Sequence, residues 1–203
     1  TEDSTLLAQY GVYNNEETLD PGWTFYLWND IDCKDMKPDA SGALIKALPE
    51  GVTFDGKGYV LHNLMLDFEH IGPSSGLVGL IGEIRGGWLR NLHLDFVTVR
   101  NMDVDTPSGC IAGRISSGQI FDCTVREAKM MCRGGVAGVL AGGVGGGGNM
   151  AGCKFHGMVQ AKEMQDETEW GYKKIVNGVV GRMPSDFKGT VANDIINRVF
   201  ITD

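Results

Sequence analysis

Positive charge is scarce in this chain: 18 lysines and arginines stand against 26 aspartates and glutamates over 203 residues, for a net charge of −8. The basic residues form no stripe, which argues against nucleic acid and against an anionic membrane surface as partners. Proline is sparse, with six residues. The five cysteines (33, 110, 123, 132 and 153) fit no metal spacing such as C-x2-C, and none of the four histidines (62, 70, 93 and 156) clusters with them. No structural metal and no cofactor is expected. A membrane span is missing too, because the one uncharged run long enough, 134 to 153, contains ten glycines and an asparagine. That run reads as solenoid corners. The chain opens at Thr1 with neither a Met nor an apolar signal region, which gives the expectation of a piece cut from a longer or processed precursor that carries other domains.

What the chain does have is glycine, thirty residues of it, placed periodically. The stretch Ser75-Gly76-Leu77-Val78-Gly79 returns as Ser108-Gly109-Cys110-Ile111-Ala112-Gly113, as Gly134-Gly135-Val136-Ala137-Gly138 and as Asn177-Gly178-Val179-Val180-Gly181. After each copy comes a short apolar tail with Asn, Asp or Gly in it, such as Leu89-Arg90-Asn91-Leu92 and Ile120-Phe121-Asp122-Cys123. Taking Gly79, Gly113, Gly138 and Gly181 as equivalent gives a core unit of about twenty-five residues with unequal insertions. Two or three short strands divided by Gly, Asn or Asp in such a unit predict one turn of a parallel β-solenoid. The expected class is all-β, a right-handed parallel β-helix forming a single domain over 1–203. Its cap and first strands fall in 1–50 and its repeat coils in 51–203.

In that solenoid the four glycines are expected to form one column, and Asn63, Asn91 and Asn193, with Asp122 standing in, a corner column whose side chains bond along the stack or cap the turn. The inward ladders are Leu77, Cys110, Val136 and Val179, and Leu64, Leu92, Cys123 and Cys153, with Asp194 as a departure. The ladder cysteines are expected to be buried and free, with Cys123 and Cys153 close enough to bridge. Ahead of the repeats, residues 1–15 place Leu6, Leu7 and Tyr10 on one side of a short helical cap. Trp23 to Cys33 reads as a strand running into a turn, 34–50 as a loop punctuated by Pro38, Gly42 and Pro49, and 52–66 as two short strands about Asp55-Gly56.

These residues resemble the GLUG-motif repeats of bacterial surface and secreted proteins, whose units read approximately G-G-L-V-G, a spacer, then an I-x-N-C-like strand. Phe54-Asp55-Gly56-Lys57-Gly58-Tyr59-Val60-Leu61-His62-Asn63-Leu64 is similar to the strand that precedes such repeats, and Trp28-Asn29-Asp30-Ile31-Asp32-Cys33 to the element before it. The resemblance implies an exported bacterial β-helix, extracellular or on the cell surface, often within a long adhesin-like protein. It implies no catalytic residue. The third unit departs through Gly142 to Gly148, and the fourth through the acidic insertion before it.

The chemistry-bearing groups are weighed against that scaffold. Glycines 142–148 lack the Lys-Ser/Thr of a phosphate loop and the Asp of a calcium repeat. Asp30 with Asp32, and Asp103 with Asp105, have the i, i+2 spacing that a lyase or glycosidase could use, although turn capping explains them more simply. His93, between Leu92 and Leu94, points outward from a strand. The least repeat-like segment, 160–174, combines Glu163, Asp166, Glu167 and Glu169 with Trp170 and Tyr172, the mixture of hydrogen-bonding groups and flat platforms that a glycan or peptide site uses. The competing reading is a solvated insertion whose Trp packs back on the solenoid. The function expected is thus adhesion to, or binding of, a host or bacterial glycan or surface protein. The alternatives are a carbohydrate-active enzyme (a polysaccharide lyase or glycosidase) on the same scaffold, which is the weaker since no column of carboxylates with a basic residue is evident, and a passive spacer.

Overall fold

The computed structural model describes residues 21–38, 41–68, 76–101, 103, 106–132, 136–138, 140–156, 159–163, 175–177, 180–182, 191–196 and 199–202; the expected helical cap over 1–15 lies outside them. Triplets with one apolar residue between two others, such as Thr53-Phe54-Asp55 and Trp88-Leu89-Arg90, recur along the chain, and each becomes a strand segment with its middle side chain inward. The chain enters through β1 (Thr24–Tyr26), β2 (Ile31–Asp32) and β3 (Ala43–Pro49), then β4 (Thr53–Asp55), β5 (Val60–His62) and β6 (Met65–Phe68). Longer strands follow: β7 (Gly79–Arg90), β8 (His93–Asn101), β9 (Ser108–Gly109), β10 (Ala112–Phe121), β11 (Thr124–Cys132) and β12 (Val136–Gly138). The last are β13 (Ala141–His156), β14 (Val159–Glu163), β15 (Ile175–Asn177), β16 (Val180–Arg182), β17 (Val191–Ile196) and β18 (Val199–Thr202). Strands two to four apart in sequence stack in parallel, as in the run β1, β4, β7, β10 and β13, which makes a β-solenoid of about four turns with no helix among the described residues.

Five faces result. The first stacks β3, 79–86, 112–118, 141–148 and β16; the second β1, β4, 88–90, 119–121 and 149–151; the third β2, β5, 93–95, 124–126 and 154–156. The fourth stacks β6, 98–101, 129–132, β14 and β18, and a short fifth stacks β9, β12 and β15. Inward side chains form apolar ladders, each repeated at the strand spacing of about 4.8 Å. One is Phe54, Leu89, Ile120 and Met150; another is Ile31, Leu61, Leu94, Val125 and Phe155; all are buried. Each such side chain contributes roughly 1.5–3 kcal/mol by leaving water.

The register corrects several expectations. Leu89 lies level with Ile120 and Ile120 with Met150, so a coil is about thirty residues long, not twenty-five. The four repeat glycines occupy two columns. The Val78–Ser108 bridge sets Gly79 beside Gly109, which pairs with Gly138. Gly113 instead lies between Gly82 and Gly142, with Gly181 beyond, because Ala112 pairs with Ile81 and with Ala141, and Ala141 with Val180. Both columns are needed where the fifth face turns into the first. A Cβ on Gly113 would lie 2.8 Å from the Leu77 carbonyl carbon, and one on Gly142 2.5 Å from the Ser108 nitrogen, so only glycine lets the coils approach.

The corner column also divides. Asn91, Asp122 and Gly152, with φ of 52°, 49° and 64°, turn the second face into the third. Asn63 (57°) belongs one corner further on, with Phe96 (56°) and Glu127 (49°), since His62 pairs with Asp95 and Asp95 with Arg126. Asn193 lies level with Cys153 in the apolar ladder, and Asp194 with Lys154 outside it, the reverse of the expected placement. Leu64 leaves that ladder with Asn63, and Leu77 is level with Pro107, not Cys110.

Two segments read as loops or corners are strands. Residues 43–49 alternate weakly but bury Ala43, Leu44, Ile45, Ala47 and Leu48 against the next coil, and Pro49 costs no ladder bond at the end of an edge strand. Residues 142–148 belong to β13 beside β10, with a register shift where Val144 pairs with Ile115 and Gly147 with Ser117, and a Cβ on Gly142 would meet the Gly113 carbonyl oxygen at 2.6 Å. Asp55-Gly56 divides β4 from β5, which lie on different faces and do not form a hairpin.

Candidate functional site

The second face carries the chain's densest set of described outward aromatics. With Phe54, Leu89 and Ile120 inward, alternation sends Thr24, Thr53, Trp88, Gln119 and Asn149 outward in one row, and Tyr26, Asp55, Arg90, Phe121 and Ala151 in the next. Trp88 is 45% exposed and Tyr26 44%. Trp88 meets Phe121 edge to face, with ring centroids 6.3 Å apart at 82°, an arrangement that fixes both rings. Trp28, just beyond β1, is the most exposed aromatic described, at 70%.

Among these rings lies one covered carboxylate. Asp55 accepts hydrogen bonds from the Lys57 backbone N–H (2.9 Å), Asn91 Nδ2 (3.1 Å) and Arg90 Nε (3.0 Å), with Lys57 Nζ 3.5 Å away. Burial alone would raise its pKa, but these hydrogen bonds and the Arg90 charge outweigh it and hold the carboxyl below the usual range. The Lys57 ammonium also caps the Tyr26 ring at 4.4 Å. Arg90 spends only Nε, and its terminal amino groups have no partner among the described residues.

A second buried carboxylate sits on the first face. Glu83 pairs with Arg85 Nη2 (2.5 Å) and Arg114 (2.9 Å from Nη2) and accepts a hydrogen bond from the Ser116 hydroxyl. Burial raises its pKa too, and the hydroxyl and the two guanidiniums more than offset this. Carboxylates kept ionised in this way stitch coils together and are poorly suited to donate protons.

The candidate residues from the sequence are scattered. Asp30 and Asp32 are caps: Asp30 accepts from Val60 N–H (2.8 Å), and Asp32 from Asn63 Nδ2 (3.0 Å) and Lys34 N–H (3.2 Å). The Asp103 N–H donates to buried Asn101, while Asp105 lies outside the described residues. His93 occupies an outward strand position, half-buried, with burial and then Arg126 lowering its pKa. Of the 160–174 segment, Gln160 to Glu163 belong to β14, with Glu163 level with Cys132. Asp166, Glu167, Glu169, Trp170 and Tyr172 lie outside the described residues. The next strand described after β14 on the fourth face is β15 on the fifth. Among the described residues no three His, Cys, Asp or Glu side chains gather in a way that could hold a metal, and no helix is long and apolar enough to cross a membrane.

Comparison with family models, with curated proteins and with solved structures gives no match.

Proposed function

We propose that the chain is a binding module, a right-handed solenoid of GLUG-repeat type with an N-terminal helical cap, exported by a bacterium and used in adhesion to a glycan or surface protein. The observation that carries this reading is the second face, where Trp88, Phe121 and Tyr26 stand outward among hydrogen-bonding side chains. A solenoid face with a purely structural role would be expected to carry small or charged residues there, since each exposed ring keeps apolar surface in water. The enzyme reading gains less support: Asp55 and Glu83 are both committed to cations and held ionised, so neither is set up as the general acid a glycosidase needs. The acidic insertion beyond Glu163, with Trp170 and Tyr172, is a second recognition segment in this proposal.

The test is a glycan and surface-protein binding screen of the wild type beside Trp88→Ala. Trp88 lies outside the core, so the variant is expected to keep its thermal midpoint within a few degrees and to lose affinity at least tenfold. A ligand held equally by both proteins places the site elsewhere.

A further inference from the structure

The binding reading does not say what the second face selects, but its charge does. Asp55 is one negative charge serving two cations, Lys57 and Arg90, so the cluster retains one net positive charge in a chain whose net charge is −8. Arg90 holds Asp55 through Nε alone, which leaves its terminal amino groups to donate elsewhere. A guanidinium so anchored at one edge is oriented before any ligand arrives, and its outer donors match the two oxygens of a carboxylate. On either side stand flat apolar surfaces: Trp88 two residues back on the same strand face, and Phe121 level with Arg90 on the next coil. Gln119, beside Trp88, offers an amide that has no partner among the described residues.

Resting on the binding reading above, we propose that this face takes an acidic saccharide, its carboxylate on Arg90 and Lys57 and its ring against Trp88 and Phe121. A pyranose presents an apolar face of C–H groups to an aromatic ring and hydroxyls at its edge, and the carboxylate adds the charge that the cluster lacks. An acidic peptide would satisfy the cations but has no such flat ring to occupy Trp88. A neutral glycan would use the rings but leave the Arg90 fork unmatched.

Calorimetric titration with a galacturonic acid tetramer, its fully methyl-esterified form and poly-glutamate distinguishes these outcomes. The wild type is expected to bind the acid at least tenfold more tightly than the ester or the peptide, with an affinity that falls as salt rises. Arg90→Lys keeps the charge and loses the fork, and is expected to lose most of the preference for acid over ester. Lys57→Gln, which leaves the Arg90–Asp55 pair in place, is expected to reduce that preference severalfold and serves if the Arg90 variant does not fold. Equal binding of acid and ester overturns the acidic selectivity while leaving a glycan-binding module. Equal binding of poly-glutamate overturns sugar recognition in favour of simple charge attraction. No binding of acid or ester by the wild type overturns the proposal, while the binding reading stands or falls on the glycan and surface-protein screen.

Discussion

Single residues carry the strain and the charge of this molecule. Phe96 holds φ of 56° at a corner while 58% exposed, whereas its neighbour in the column, Asn63, is a residue that tolerates that conformation. Phe96→Asn is therefore expected to raise stability by about 0.5–1 kcal/mol, measured by denaturant unfolding; a loss of stability would mean that the ring packs against something the corner needs. The buried carboxylates give a pH dependence of definite sign. Asp55 and Glu83 have folded-state pKa values below the ordinary 3.8 and 4.5, so both stabilise the fold fully above those values, and this is lost as pH falls through the lower folded ones. Asp55→Asn and Glu83→Gln are expected to cost roughly 1–3 kcal/mol each at pH 7 and to flatten the acid limb of the stability profile. An unchanged acid limb in both variants would contradict the assignment.

At the scale of the strand and the coil, the sequence showed the architecture more clearly than the register. Period-two triplets and glycines recurring about every twenty-five to thirty-five residues point to stacked short-strand coils, which is how a parallel solenoid buries its core. They do not say which glycine faces which. Two glycines serve each coil, and choosing Gly79 with Gly113 shifted the assumed unit, which hid the rows that contain Trp88, Arg90 and Phe121. The signal for the face was present in Trp88-Leu89-Arg90 and Gln119-Ile120-Phe121, alternating triplets thirty-one residues apart, and needed only the correct coil length. The strand over 43–49 was obscured by Pro49 and Gly42, punctuation that an edge strand tolerates. One feature of the ladders was legible from the start: Cys110, Cys123 and Cys153 are buried and free, and the thiols of Cys123 and Cys153 donate to the backbone carbonyls of Phe121 (3.2 Å) and Ala151 (3.6 Å). Cys33 is buried as well, and burial pushes its thiol up to about 12. These four thiols are expected to resist an exposed-thiol reagent at pH 7 in the native chain and to react at once in denaturant; rapid native labelling of all four would show that the ladders are open.

The described strands form a stack in which each coil pairs with its neighbours, so the proposed binding face exists only if the coils stay in register over their full height. Thr24, Thr53, Trp88, Gln119 and Asn149 form one outward row across five strands, and the proposed site is the middle of that row and its neighbour. Spin labels at Thr24→Cys and Asn149→Cys, with Cys132→Ser to silence the remaining thiol, measure that register by pulsed electron resonance while the buried cysteines stay unlabelled. Four strand spacings of about 4.8 Å predict Cα atoms roughly 19 Å apart and a single narrow distance distribution once label length is allowed for. A distance beyond about 30 Å, or a distribution with no defined maximum, would contradict the stacked solenoid and the face built upon it.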